Sequence, residues 1–180
     1  MTGIDHFAAS LLEEAKRFLE RAIEAKSNDT CEAFLHAALM IGFCSFEAQV
    51  NAIADEMSVG HGLSVHDQAV LQEKDVRLEN GKFSLKKGLK VYRLEDRVMF
   101  LYARFSTVKL DKTEAWWGAF QCAVILRNQL THPKAVPAIS VDAVRHALAA
   151  IIEATDRLYR AVYRKPFPAA VKGLHSTMDF

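Results

Sequence analysis

Arg127, Asn128 and His132 lie close together in the chain, and Pro133 follows directly. Arginine carries a planar fork of donors that suits phosphate. Histidine moves protons near neutral pH. Together they suit chemistry on a phosphodiester. Arg127 would hold the phosphate and offset charge in the transition state, and His132 would pass a proton to or from a 2′-hydroxyl or a leaving oxygen. With RNA the 2′-hydroxyl is itself the nucleophile, so such cleavage needs no metal and no cofactor and leaves a cyclic phosphate. Asn128 is placed to reach an open carbonyl of the last helical turn or the ligand.

Spacing by itself does not bring the two groups together. On an ideal helix they stand about 140° apart around the axis. Pro133 disfavours helical geometry at His132, which leaves the ring able to turn back towards Arg127. A helix C-terminus also favours a cationic imidazole. The same dipole makes arginine and histidine common in last turns for purely structural reasons.

The elements that must position these residues are read from periodicity. A first helix over about 5–26 carries an apolar stripe of Phe7, Leu11, Leu12, Ala15, Phe18, Leu19, Ala22 and Ile23. Asp29 and Glu32 have capping-box spacing ahead of a second helix, about 30–57. That helix is apolar nearly all round and is expected at the centre, with Ser45, Glu47 and Asn51 embedded in it. A carboxylate there is costly unless paired, and Glu47 is the candidate to hold Arg127. Asn51 reads as a structural polar contact that supports the site. Ser64 and Asp67 are placed to cap a short helix.

Asn80-Gly81 between short alternating runs marks a hairpin, because both residues tolerate positive φ. Helices follow at about 93–105, from Asp111 and Glu114 to about 131, and at about 141–163 behind Ser140. The expected fold class is all-α: a bundle of about five main helices with a small β-hairpin insertion near Asn80-Gly81. Residues 1–165 would form a single domain, with the hairpin at about 75–86, and residues 166–180 a patternless and mobile C-terminal tail.

The segment Leu126-Arg-Asn-Gln-Leu-Thr-His132-Pro-Lys134 resembles the signature of the HEPN superfamily. In that family an arginine, usually a polar residue such as asparagine, and then a histidine stand near the end of a long helix. The segment 44–51 resembles an earlier family helix in which an acidic residue, here Glu47, supports the site. The resemblance implies a HEPN-like helical bundle that dimerises, with two copies of the signature facing each other across a cleft. It also implies a metal-independent endoribonuclease acting on RNA, of the kind found in toxin–antitoxin, phage-defence or RNA-processing systems, with an antitoxin or other regulatory protein as a further partner. Some members keep the fold and only bind a nucleotide or a partner, and the signature leaves both outcomes open.

Bulk composition sets the remaining bounds. Hydrophobic residues at 51% and charged residues at 25% are ordinary for a globular protein. A net charge of +1 excludes coating nucleic acid by charge alone, so any RNA contact must be local. Lys86, Lys87, Lys90 and Arg93 form a basic cluster that would meet phosphates or simply be solvated. Of the adjacent Trp116 and Trp117, core packing is the first expectation, while an exposed Trp117 would stack a base.

No CxxC, HExxH or glycine-rich phosphate loop is present. His36 reads as a satisfied core residue and His146 as a surface one. The cysteines Cys31, Cys44 and Cys122 stand in apolar helical contexts, which suits a reducing, cytoplasmic setting. The acidic N-terminal segment does not read as a signal peptide. The charge-free stretch 33–46 is too short to span a bilayer, so no membrane association is expected.

Overall fold

The computed structural model describes residues 3–180. Six helices and one hairpin follow in chain order: α1 (Gly3–Glu24), α2 (Asn28–Ser58), α3 (Val65–Leu71), β1 (Lys74–Glu79), β2 (Lys82–Leu89), α4 (Leu94–Phe105), α5 (Ala115–Thr131) and α6 (Val141–Tyr163). A single 3-10 turn, Ala170–Lys172, lies in the tail. The class is all-α, with five long helices, one short one and a two-stranded antiparallel sheet.

The 31 residues of α2, about 46 Å of helix, form the axis of the bundle. Helix α1 runs antiparallel to it, with Ser45 Oγ donating to the Ala8 carbonyl at 2.7 Å near one end and Phe18 stacked on Phe34 near the other. Helix α6 runs alongside α2 in the same direction, from Gly42 against Leu148 and Ile151 to Tyr159 donating to Gln49 at 2.9 Å. Helix α5 closes the other side, with Phe46 and Phe120 in ring contact at 5.1 Å. Residues 115–116 of α5 and Glu114 before them meet the far half of α6, where Arg157 pairs with Glu114 at 3.1 Å.

By length and composition, α2 is the one helix among the described residues that passes for a membrane span, but 56% of its most apolar window is buried against other helices. It serves here as the core helix. It carries a wider apolar stretch than the charge-free run 33–46 suggests.

Local signals place most boundaries. Ser140 caps α6 by accepting from the Ala143 N–H, and Ser64 with Asp67 forms a complete capping box on α3. Asn80 and Gly81 take φ of 51° and 76° and turn the hairpin as expected. The strands are longer than expected, pairing Glu79 with Lys82 at the turn and Lys74 with Leu89 at the open end. The hairpin leans on α3 through His66 and Phe83, whose rings lie 5.1 Å apart.

Other expectations need correction. The cap of α2 is Ser27, whose hydroxyl accepts from the Thr30 N–H, and Asp29 lies inside the first turn. Asp111 does not cap α5; its carboxylate accepts from the N–H and hydroxyl of Thr113 in the loop before it. In α1 the seam is narrower than the expected stripe: Ala8, Leu12, Ala15, Leu19 and Ala22 are buried, while Phe7 and Ile23 are more than half exposed. Lys16 sits in that seam, fully buried and paired with Glu13 at 2.9 Å. His36 is only half-buried on α2 and is not a core residue.

The tail after Pro166 packs back onto the bundle, contrary to the expectation of a mobile segment. Phe167 is buried with Leu12 and Ile152. Further on, the Thr177 N–H and hydroxyl both donate to the Glu13 carboxylate, at 2.7 and 2.8 Å, and Ser176 Oγ donates to the Glu13 carbonyl. Burial would raise the Glu13 pKa, but the bonds from Lys16 and Thr177 outweigh it and hold the carboxyl below its ordinary value. A depressed carboxyl adds stability above its unfolded pKa and loses it as pH falls through the folded one. Acidification from about pH 5 downward is therefore expected to release residues 176–180 before the bundle unfolds. Amide exchange at Thr177 measured against pH checks this; protection that falls only with global unfolding would refute it.

Candidate active-site groove

Helix α5 ends at Thr131, ahead of Pro133, which has no N–H to continue it, and its last carbonyls find local donors. The Thr131 hydroxyl donates to the Arg127 carbonyl at 3.1 Å, and the His132 N–H to the Asn128 carbonyl at 2.9 Å. His132 itself takes φ −132° and ψ 58°, outside helical geometry, directly before Pro133. The Asn128 side chain is not needed for capping and faces outward. Both Asn128 and His132 are exposed.

These residues open into a groove of about 520 Å³ between α2, α4 and α5. Arg127, Asn128, His132, Glu47 and Asn51 all line it, so every residue expected at the core of the site is brought to one place.

The arginine is held loosely. Its Nη2 lies 3.7 Å from Glu47 Oε1, within ion-pair range but beyond hydrogen-bond length. The guanidinium sits over the Phe43 ring, 5.1 Å from its centroid. Its Nε is buried with no hydrogen-bond partner. Glu47 is not the buried carboxylate expected, since its side chain is 46% exposed on the groove wall. The nearby Cys44 thiol is pushed up by partial desolvation and by Glu47, with Arg127 opposing.

A second arginine in the same groove is the opposite case. Arg97 of α4 is buried, donates to Asn51 Oδ1 at 2.7 Å and pairs with Glu73 at 3.2 Å. Burial lowers its pKa, and the charges of Glu73 and Glu47 work against that shift. Asn51 thus belongs to Arg97, a structural role as expected. Arg97 and Glu73 were not anticipated from sequence. The readable signal was a cation three residues after Leu94 and four before Leu101, on the apolar face of α4.

Of the basic cluster, only Arg93 lines the groove. Lys86 and Lys90 lie 3.4 and 3.7 Å from the Asp75 carboxylate, and Lys87 is exposed on β2. Trp117 is no RNA contact: it is 2% exposed, tilted on Phe120 and edge-on to Trp116. Trp116 stacks on Tyr102 of α4 while Phe120 meets Phe46 of α2. With neighbours on two sides, α5 buries more than the 100° that separates adjacent residues, so both tryptophans are core.

Beside the groove the surface loses its charge. Cys44 of α2 and Gly118, Ala119, Cys122 and Ile125 of α5 are exposed, with no charged residue between 115 and 126. A second concavity of about 690 Å³ joins this strip to Asn128 and His132 and is bounded by the loop 134–138. Among the described residues no group of His, Cys, Asp or Glu has the arrangement to hold a metal ion. Compared with family models, with curated proteins and with solved structures, the chain gives no match.

Proposed function

We propose that this protein is a HEPN-like, metal-independent endoribonuclease whose site is completed by a second copy of the chain. The observation that carries the reading is Arg127: a guanidinium with donors the protein leaves unsatisfied, in a groove shared with His132 and Asn128. Its Nη2, 3.7 Å from Glu47 and so without a full hydrogen bond, is the donor that a phosphate oxygen in the groove would take with a charge-assisted bond. Arg97, equally cationic, already commits its Nη1 to Asn51 and Glu73.

In this reading RNA lies in the groove with one phosphate on Arg127. A histidine takes the 2′-hydroxyl proton, the 2′-oxygen bonds to phosphorus, and the 5′-oxygen leaves with a proton from a second acid. The products are a 2′,3′-cyclic phosphate and a 5′-hydroxyl. One His132 cannot serve both faces of an in-line displacement at once, and its counterpart in the second copy supplies the other proton transfer. The uncharged strip of α2 and α5 that runs up to Asn128 is the surface on which that copy would dock. A cytoplasmic role in RNA-based defence or toxin–antitoxin control, restrained by a partner protein, fits this activity.

The test is cleavage of RNA by purified protein in EDTA, with the product ends analysed for cyclic phosphate. No cleavage, or cleavage only with added metal, overturns the nuclease. Saturable, Arg127-dependent RNA binding without cleavage would point to a binding module instead. Ile125→Glu puts a charge in the strip and is expected to shift the protein from dimer to monomer in light scattering and to abolish cleavage. A wild-type monomer at micromolar concentration would remove the composite site.

A further inference from the structure

The chain between β2 and α4 forms one wall of the groove. Residues 90–93 have no regular structure, and Val91, Tyr92 and Arg93 face the space that holds Arg127 and His132. The segment is nevertheless anchored. The Lys90 N–H donates to the Glu73 carbonyl at 2.7 Å, and Glu73 is fixed in turn by Arg97. Glu73 takes a positive φ of 49°, an uncommon conformation for glutamate that turns α3 into β1 at this point.

The side chains on this wall contribute little to the core. Val91 is 78% exposed, and the Arg93 side chain is 76% exposed. Tyr92 is half-buried, with the Lys90 ammonium 5.1 Å from its ring centroid. A half-buried aromatic ring on a backbone anchored at Lys90, with a cation near it and an exposed valine beside it, at the mouth of a groove holding an under-bonded arginine, offers what a single-stranded nucleotide needs. The phosphate takes the guanidinium, and the base takes a flat apolar surface.

We propose that Tyr92 is the base-binding residue of the groove, stacking the nucleobase next to the phosphate held by Arg127, so that the substrate is single-stranded RNA. This rests on the RNA-cleaving reading above. Stacking accepts every base, so recognition through Tyr92 is broad. It also assigns the hairpin a purpose: β2 and the anchored Lys90 deliver this wall to a site built by the helices.

The experiment measures binding of a short single-stranded RNA with 2′-O-methyl groups, which blocks cleavage, and of the same backbone without bases. Tyr92→Ala is expected to weaken RNA binding about 5- to 100-fold, Tyr92→Phe by less than about twofold, and neither to change binding of the abasic strand. Unchanged RNA binding by Tyr92→Ala, or an equal loss in Tyr92→Phe, overturns the proposal. An equal loss on the abasic strand does so too. If Arg127→Ala weakens binding while Tyr92→Ala does not, this inference alone fails. If the wild type does not bind RNA, or binds it independently of Arg127, the reading of the groove falls with it.

Discussion

His132→Ala is expected to lower RNA cleavage in EDTA by about 100- to 10,000-fold, the range in which a positioned general acid or base acts. Arg127→Ala is expected to fall by about 100- to 1,000-fold, the cost of removing one donor aimed at the developing charge. The two losses differ in kind. In the proposed reading Arg127 also holds the substrate, so its removal is expected to weaken RNA binding as well as turnover. His132 is exposed and is no part of the core, so its removal leaves binding and thermal stability close to wild type. Arg127→Lys should recover little, because a point charge cannot present two parallel donors. Single-turnover cleavage with separate binding measurements checks each statement. Equal rates for wild type, Arg127→Ala and His132→Ala would eliminate this groove as the site.

Arg97→Ala is expected to lower folding stability by about 3 kcal/mol, at the low end for breaking a buried pair because Glu73 keeps some contact with water. For a chain of this size that is a fall in Tm of about 6–12 °C. The guanidinium is 7% exposed and ties together Asn51 on α2 and Glu73 ahead of β1. Without it a carboxylate and an amide lose their partner at the junction of helix, hairpin and groove. The double variant Arg97→Met with Glu73→Leu removes both charges and is expected to regain part of the loss. Thermal unfolding of the three proteins measures the difference. A single variant within about 0.5 kcal/mol of wild type would show that the pair is merely a surface contact.

The contrast between the two arginines shows how far the chain could be read without its fold. Arg127 stood out because His132 and Pro133 are its neighbours in sequence. Arg97 did not, because its partners Asn51 and Glu73 are far away along the chain, and only an intruding cation in the apolar stripe of α4 marked it. The tryptophans make the same point. The angle between Trp116 and Trp117 was known, but not that α5 would meet α4 on one side and α2 on the other. The tail shows no hydrophobic period because it is held by side-chain and backbone bonds to Glu13, which leave no repeating pattern.

The features legible from sequence are those governed by neighbours a few residues apart: the Asn80-Gly81 turn, the Ser64 and Ser140 caps, the stop of α5 before Pro133, and the clustering of Arg127, Asn128 and His132. Even there, Ser27, Asn28 and Asp29 all favour a cap, and the structure uses Ser27. Only the tertiary structure decided which cation is bonded into the fold and which keeps an unpartnered donor. Satisfaction of a buried donor depends on which acceptor the packing of distant helices brings within about 3 Å. Around Arg97 that packing supplies an amide and a carboxylate; around the Nε of Arg127 it supplies no acceptor.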